Sequence, residues 1–188
     1  MTITILANGQ SRETIDIDKI KTIKIGCNAI VRDYEVDHLI CVDRRMAIEA
    51  TELGHNSIYT RNDWVSSFKR IKTVPSLPYE DNNRWDEPFN WGSGPYAVLL
   101  GCKLDNKLDL IGFDLHSSNK KINNIYKGTR NYNNEDHRAI DPRYWILQIG
   151  KLMEIYSNVT FTIHQPIEWI LPDKWNHPNV SLDNSTFF

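Results

Sequence analysis

The chain has 188 residues, 40% of them hydrophobic and 24% charged, with 9 Gly and 8 Pro, the size and make-up of one folded domain spanning residues 1–188. A formal net charge of -2 and a pI near 6.3 supply no field for nucleic acid or an anionic membrane surface. No apolar run approaches the roughly 20 residues of a membrane-spanning helix.

Taken in order, Thr2 to Ala7 alternates as a strand and ends in the turn Asn8-Gly9-Gln10-Ser11, where Ser11 is expected to cap a helix. Thr22 to Cys27 and His38 to Asp43 read as the second and third strands. Arg44 to Leu53 has helical composition and stops at Gly54. Ser57 to Arg61 is a short strand, Ser93 to Lys103 an apolar helix, and Leu108 to Asp114 a nearly continuous apolar strand. Asp141 and Pro142 suit the N-cap and first position of a helix running to Tyr156. Val159 to His164 is the last predicted strand, and a Pro- and Trp-containing tail follows from 166 to 188.

Strands alternating with helices predict an α/β fold: a Rossmann-like, doubly wound, mainly parallel sheet with helices on both faces. Ligands of such sheets bind beyond the carboxyl ends of the strands, where strand order reverses. Asn8, Gly9, Asn28, Asp43, Asp114 and His116 all fall at those predicted ends. Two connections, Lys72 to Trp91 and Leu115 to Ile140, exceed the usual loop length of compact domains. The second carries Lys120, Lys121, Lys127, Arg130 and Arg138 with Tyr126, Tyr132 and His137. It is expected to be a basic, aromatic lid over a phosphate-bearing ligand, although a solvated surface loop would have the same composition.

The motifs divide by strength. Gly9 would admit a ligand close to the backbone, but the turn lacks the glycine pattern of a dinucleotide site and the Lys of a P-loop. Gly92-Ser93-Gly94-Pro95 opens the apolar helix and offers backbone amides and a hydroxyl to a ligand. Asp16 and Asp18 spell the Asp-x-Asp of metal-binding transferases, but the alternation of Asp and Ile so soon after the first strand favours a half-buried surface over a metal site. Cys27, Cys41 and Cys102, each inside an apolar run, read as buried hydrophobes in a reducing compartment. The N-terminus lacks the basic start of a signal peptide, so the cytoplasm is expected. Heavy use of Asn, Ile and Lys suits an AT-rich genome such as that of many small bacteria or phages; a phage-encoded chain would work in the host cytoplasm.

Four runs in order, Ala7 to Ser11, Gly26 to Asn28, Gly92 to Gly101 and Leu110 to Asp114, are similar to the bacterial sialyltransferase-like family, single-domain Rossmann-like glycosyltransferases. They also resemble related α/β proteins that include flagellin-modifying transferases and pterin diphosphokinases. The resemblance covers most of residues 2 to 165. It implies a sheet of about seven strands that binds a CMP-activated sugar without a metal or other cofactor, and passes the sugar to a glycan or other hydroxyl acceptor. Asn8, Gly9 and Ser11 match the turn that holds phosphate and ribose, Asn28 the asparagine after the second strand, and Gly92, Ser93 and Gly94 the helix start that contacts the nucleotide. His137 matches a general base before the last long helix. Two departures stand out. Asp43 occupies the place of an asparagine, and His116 that of a tyrosine on the leaving phosphate, a role for which Tyr126 is the other candidate. The alternatives are a nucleotide-binding protein without transfer chemistry and a diphosphokinase, to which Asp43 and Asp114 could contribute metal ligands. A homo-oligomer is compatible with either.

Overall fold

The computed structural model describes residues 1–80, 87–115, 121–134, 136–138 and 141–185. Eight strands build one sheet: β1 (Ile3–Leu6), β2 (Ile23–Cys27), β3 (His38–Ile40), β4 (Ile58–Thr60), β5 (Lys72–Thr73), β6 (Lys107–Ile111), β7 (Thr160–His164) and β8 (Val180–Asp183). Their order is β5-β4-β3-β2-β1-β6-β7-β8, and every pairing is parallel. The chain runs outward from β1 to β5, crosses back, and runs outward again from β6 to β8. The fold is thus doubly wound and Rossmann-like, with its switch point between β1 and β6.

Helices α1 (Arg44–Glu52), α2 (Asn62–Val65), α3 (Ser93–Leu104) and α4 (Arg143–Ile155) complete the layers. The inner strands are apolar on both faces, as a covered parallel sheet requires; Ile3, Ile5, Leu6, Leu110 and Ile111 are all at most 1% exposed. One face packs against α3 and α4, the other against α1 and the 3-10 turn Asn28–Arg32. Nine of the 12 residues of α3 are buried, and each such Leu or Val contributes about 1.5–3 kcal/mol over its exposed state. Gly101 lets α3 approach this closely, since a Cβ there would stand 2.9 Å from Ile5 Cδ1. Among the described residues, no helix is long and apolar enough to cross a membrane.

Several expectations need correction. Ser11 caps nothing: it lies inside a 3-10 turn, Gln10–Thr14, whose capping position is Gly9. Helix α4 starts at Arg143, with Pro142 as the cap, while the Asp141 carboxylate outside it accepts the Arg143 amide at 3.0 Å. The third strand stops at Ile40, and β6 at Ile111, because Gly112 turns the chain with φ of 75°. The tail is built into the fold. Trp175 is fully buried and donates to the Ile146 carbonyl at 2.9 Å, and β8 extends the sheet beyond the expected seven strands. His164 binds that edge together, its ring lying between Asp109 at 3.1 Å and Asp183 at 3.3 Å.

The long connection after β6 is anchored where it is described. Tyr34, Arg12, Tyr126, Arg32 and Tyr132 stack alternately, each guanidinium carbon 5.5–5.8 Å from the ring centres on either side. Arg32 also donates to Thr129 Oγ1 and the Arg130 carbonyl, both at 2.7 Å, and grips Glu49 at 2.5 and 3.0 Å. Its tyrosines, read as ligand contacts, serve to dock the segment on the α1 face.

Candidate functional site

Parallel strands bring all their carboxyl ends to one side, and a cavity of about 270 Å³ lies there. Asn8 and Gly9 reach it from β1, Cys27 and Asn28 from β2, Val42 and Asp43 from β3, and Gly112 to Leu115 from β6. Gly92 to Pro95 reach it from the start of α3. Of the residues singled out in the sequence, Asn8, Gly9, Asn28, Asp43, Gly92, Ser93, Gly94 and Asp114 therefore share one cavity. Ser11, Tyr126 and His137 do not line it, and His116 lies outside the described residues.

The turn after β1 is filled by the protein itself. Asp114 accepts the Ser11 amide at 2.8 Å, the Ser11 hydroxyl in a closer bond, and Gln165 Nε2 at 3.1 Å. The Gln10 amide donates to Asn123 Oδ1 at 2.8 Å. In the turn matched to one that holds phosphate, the Gln10 and Ser11 amides thus already donate to side chains of this chain. Gly9 serves this closure, because any Cβ there would collide with Asp114 and with the Gly112 carbonyl.

The start of α3 is different. Among the described residues the amides of Gly92, Ser93 and Gly94 meet no acceptor, and they crown a 12-residue helix, where the dipole favours negative charge. Ser93 does not offer its hydroxyl, which donates to Asn28 Oδ1 at 2.9 Å and accepts the Val42 amide at 3.2 Å. Asn28 itself sits in the left-handed region, φ of 52°, which asparagine tolerates better than most residues. The hydroxyl thus ties the ends of β2 and β3 to the first turn of α3.

Four asparagines line the cavity, and each has its side-chain oxygen occupied from within: Asn8 by Arg12 at 3.5 Å, Asn28 by Ser93, Asn123 by Gln10, and Asn124 by the Tyr126 amide at 2.9 Å. These contacts orient the amide groups. Asn8 Nδ2 uses one hydrogen on the Cys27 carbonyl at 3.0 Å, while the Nδ2 groups of Asn28, Asn123 and Asn124 have no acceptor among the described residues. The Asp114 carboxylate is closed in as above, while Asp43 accepts the Arg45 amide and guanidinium at 2.9 and 3.2 Å and keeps lone pairs open to solvent. The α3 amides and the Nδ2 groups of Asn28, Asn123 and Asn124 thus form a set of unpaired hydrogen-bond donors in the lining.

The sequence reading missed the other walls. Phe113, Ile149 and Trp145 close the cavity with apolar surface, and nothing local marks Trp145, which arrives from α4 only through tertiary packing. Cys27 also lines it, but burial pushes its thiol up to about 12, so it is a neutral wall and not a nucleophile. Tyr126 is 5% exposed and donates to Asp33 Oδ2 at 2.7 Å; burial, then that bond, pushes its hydroxyl up to about 12. His137 is exposed on the surface, its amide donating to the Asn134 carbonyl at 3.1 Å. Asp16 caps the turn Ile17–Lys19 by accepting the Asp18 amide, and neither Asp16 nor Asp18 lines the cavity. No group of three His, Cys, Asp or Glu side chains placed to hold a metal occurs among the described residues.

Fold and site together define an α/β doubly wound protein with a cavity at the carboxyl ends of its strands. No family model, curated protein or solved structure matches the chain.

Proposed function

We propose that the protein is a metal-independent, sialyltransferase-like glycosyltransferase that binds a CMP-activated sugar in this cavity and transfers the sugar to an acceptor hydroxyl. The observation that carries the reading is the unpaired donor set: the α3 amides and the Nδ2 groups of Asn28, Asn123 and Asn124. Such a lining matches an acceptor-rich anion and can offset phosphate charge without a cation. The order of the four sequence runs supplies the cytidine and sugar parts of the reading. In the transfer, His137 takes the proton of the acceptor hydroxyl as its oxygen bonds to the anomeric carbon, and the bond to phosphate breaks to release CMP. Tyr126 is committed to Asp33, so charge on the departing phosphate falls to the α3 amides; the resemblance alone adds His116, which lies outside the described residues.

Calorimetric titration tests the donor site. CMP should bind without Mg²⁺ and, at 100 times its dissociation constant, stabilise the protein by about 2.7 kcal/mol. Ser93→Ala, which releases Asn28 and orphans the Val42 amide, should weaken CMP binding by about 1–3 kcal/mol. Absence of CMP binding, with tight binding of ATP that needs Mg²⁺, would favour the diphosphokinase relatives instead.

A second reading, a nucleotide-binding protein without transfer chemistry, draws on the exposure of His137 outside the cavity. The two part at one variant. As the base, His137→Ala should keep CMP affinity and lower turnover of a CMP-sugar by about 10²- to 10⁴-fold. Wild-type protein that binds CMP yet neither transfers nor hydrolyses any CMP-sugar sides with the binding protein.

A further inference from the structure

Beside the cavity runs a groove of about 760 Å³ that shares Val42, Asp43, Gly92 and Trp145 with it. Its volume falls within the range of small-molecule sites, about 300–1,000 Å³. Gly92 shapes the junction, because a Cβ there would come within 3.0 Å of Trp145 Nε1.

The lining has two properties. The first is aromatic surface left accessible. Phe89 is 59% exposed, and Trp64, Tyr144 and Trp145 are half-buried. A solvent-facing phenylalanine at the wall of a groove is apolar area that a ligand would cover. Trp64 is held in place, its Nε1 donating to the Val42 carbonyl at 3.1 Å, with the Arg61 guanidinium 5.3 Å from its ring centre.

The second property is charge that cancels. Asp43 and Asp141 share the lining with Arg44 and Arg61, two of each sign. Three of the four are further paired: Asp43 with Arg45 at 3.2 Å, Asp141 with Arg143 at 2.7 Å, and Arg61 with Asp63 through a 2.9 Å bond and a closer one. A cationic ligand would find no unpaired counterpart, and an anionic one only Arg44. Groups that both donate and accept would find partners, because each carboxylate keeps free lone pairs and Arg44 keeps its donors.

We propose that this groove binds a neutral saccharide. A pyranose presents an apolar C–H face to an aromatic ring, whose own face is electron-rich, and a rim of hydroxyls that can accept from Arg44 and donate to Asp43 and Asp141. On the transferase reading this is the acceptor subsite, joined to the donor at Gly92 and Trp145. That name rests on the proposed function; the groove's preference for a neutral sugar stands on its own lining.

Saturation-transfer NMR on the full chain tests it, with lactose, cellobiose, maltose and chitobiose as probes, each with and without saturating CMP. At least one disaccharide should receive saturation and keep it when CMP is added. The double variant Phe89→Ala/Tyr144→Ala should weaken that disaccharide about tenfold and leave CMP affinity unchanged. Arg44→Gln, on an exposed side chain, should weaken it as well, with the melting temperature of each variant confirming the fold. No saturation from any of the four, displacement by CMP, or binding that neither variant alters would overturn the proposal. So would an acidic peptide or a second nucleotide taking the groove in their place. A disaccharide that binds while CMP does not would leave the groove standing and remove the donor reading.

Discussion

Gly9→Ala should destabilise the protein by about 2–4 kcal/mol and abolish ligand binding in the cavity. The cause is steric and not conformational. Gly9 sits at φ of -66° and ψ of 152°, where any residue is comfortable. A Cβ there would stand 2.5 Å from the Gly112 carbonyl oxygen and would meet the Asp114 carboxylate. Neither can retreat easily. Gly112 accepts the Gly9 amide at 2.9 Å at φ of 75°, and Asp114 is held by Ser11 and Gln165. The strain would open the joint between β1 and β6, which is the switch point itself. A fall in melting temperature of roughly 10 °C is expected. A variant that melts with the wild type would show that the joint yields and that Asp114 is not needed to close it.

Glu49→Gln should have an effect of similar size through charge. Glu49 is 5% exposed, takes both Arg32 contacts, and accepts Asn131 Nδ2 at 2.7 Å. The variant keeps the shape but leaves the mostly buried Arg32 guanidinium without its carboxylate, at a cost of about 3 kcal/mol. Because Arg32 holds Thr129 and the Arg130 carbonyl, amide exchange at Gly128 and Tyr132 should quicken with the loss. The pH dependence supplies a signature. The hydrogen bond from Arg32, followed by that from Asn131, holds the Glu49 carboxyl below the usual carboxylate range. Its folded pKa is depressed, so its contribution is complete above the unfolded value of about 4.3 and is lost as pH falls through the lower, folded one. Denaturation curves of wild type and variant should therefore differ most at neutral pH and converge in acid. A gap that stays constant from pH 7 down to pH 2 would assign the loss to packing instead of charge.

Much of this protein was legible in its sequence. Hydrophobic periodicity is a local property, so the alternation of Thr2 to Ala7 and the apolar run of Leu108 to Asp114 mark β1 and β6 directly. Once the strands alternate with helices, parallel topology brings their carboxyl ends together. That is why Asn8, Asn28, Asp43, Ser93 and Asp114, up to 106 positions apart in number, could be named as neighbours beforehand. The short edge strands were not legible. Lys72–Thr73 and Val180–Asp183 have few residues and exposed side chains, and their strand character comes from hydrogen bonds to β4 and β7.

The sequence by itself determined which residue types gather at the strand ends and that a doubly wound sheet gathers them. Only the tertiary structure decided how their hydrogen bonds are shared out. It closed the Asn8–Ser11 turn with Asp114 and left the donors at α3 and the asparagines unpaired. It turned a basic, aromatic connection into an anchor stacked on Arg12 and Arg32. The reason is physical: a donor or a cation finds its partner by proximity in space, and Ser11 and Asp114, or Arg32 and Thr129, lie about a hundred residues apart along the chain, where no periodicity or motif connects them.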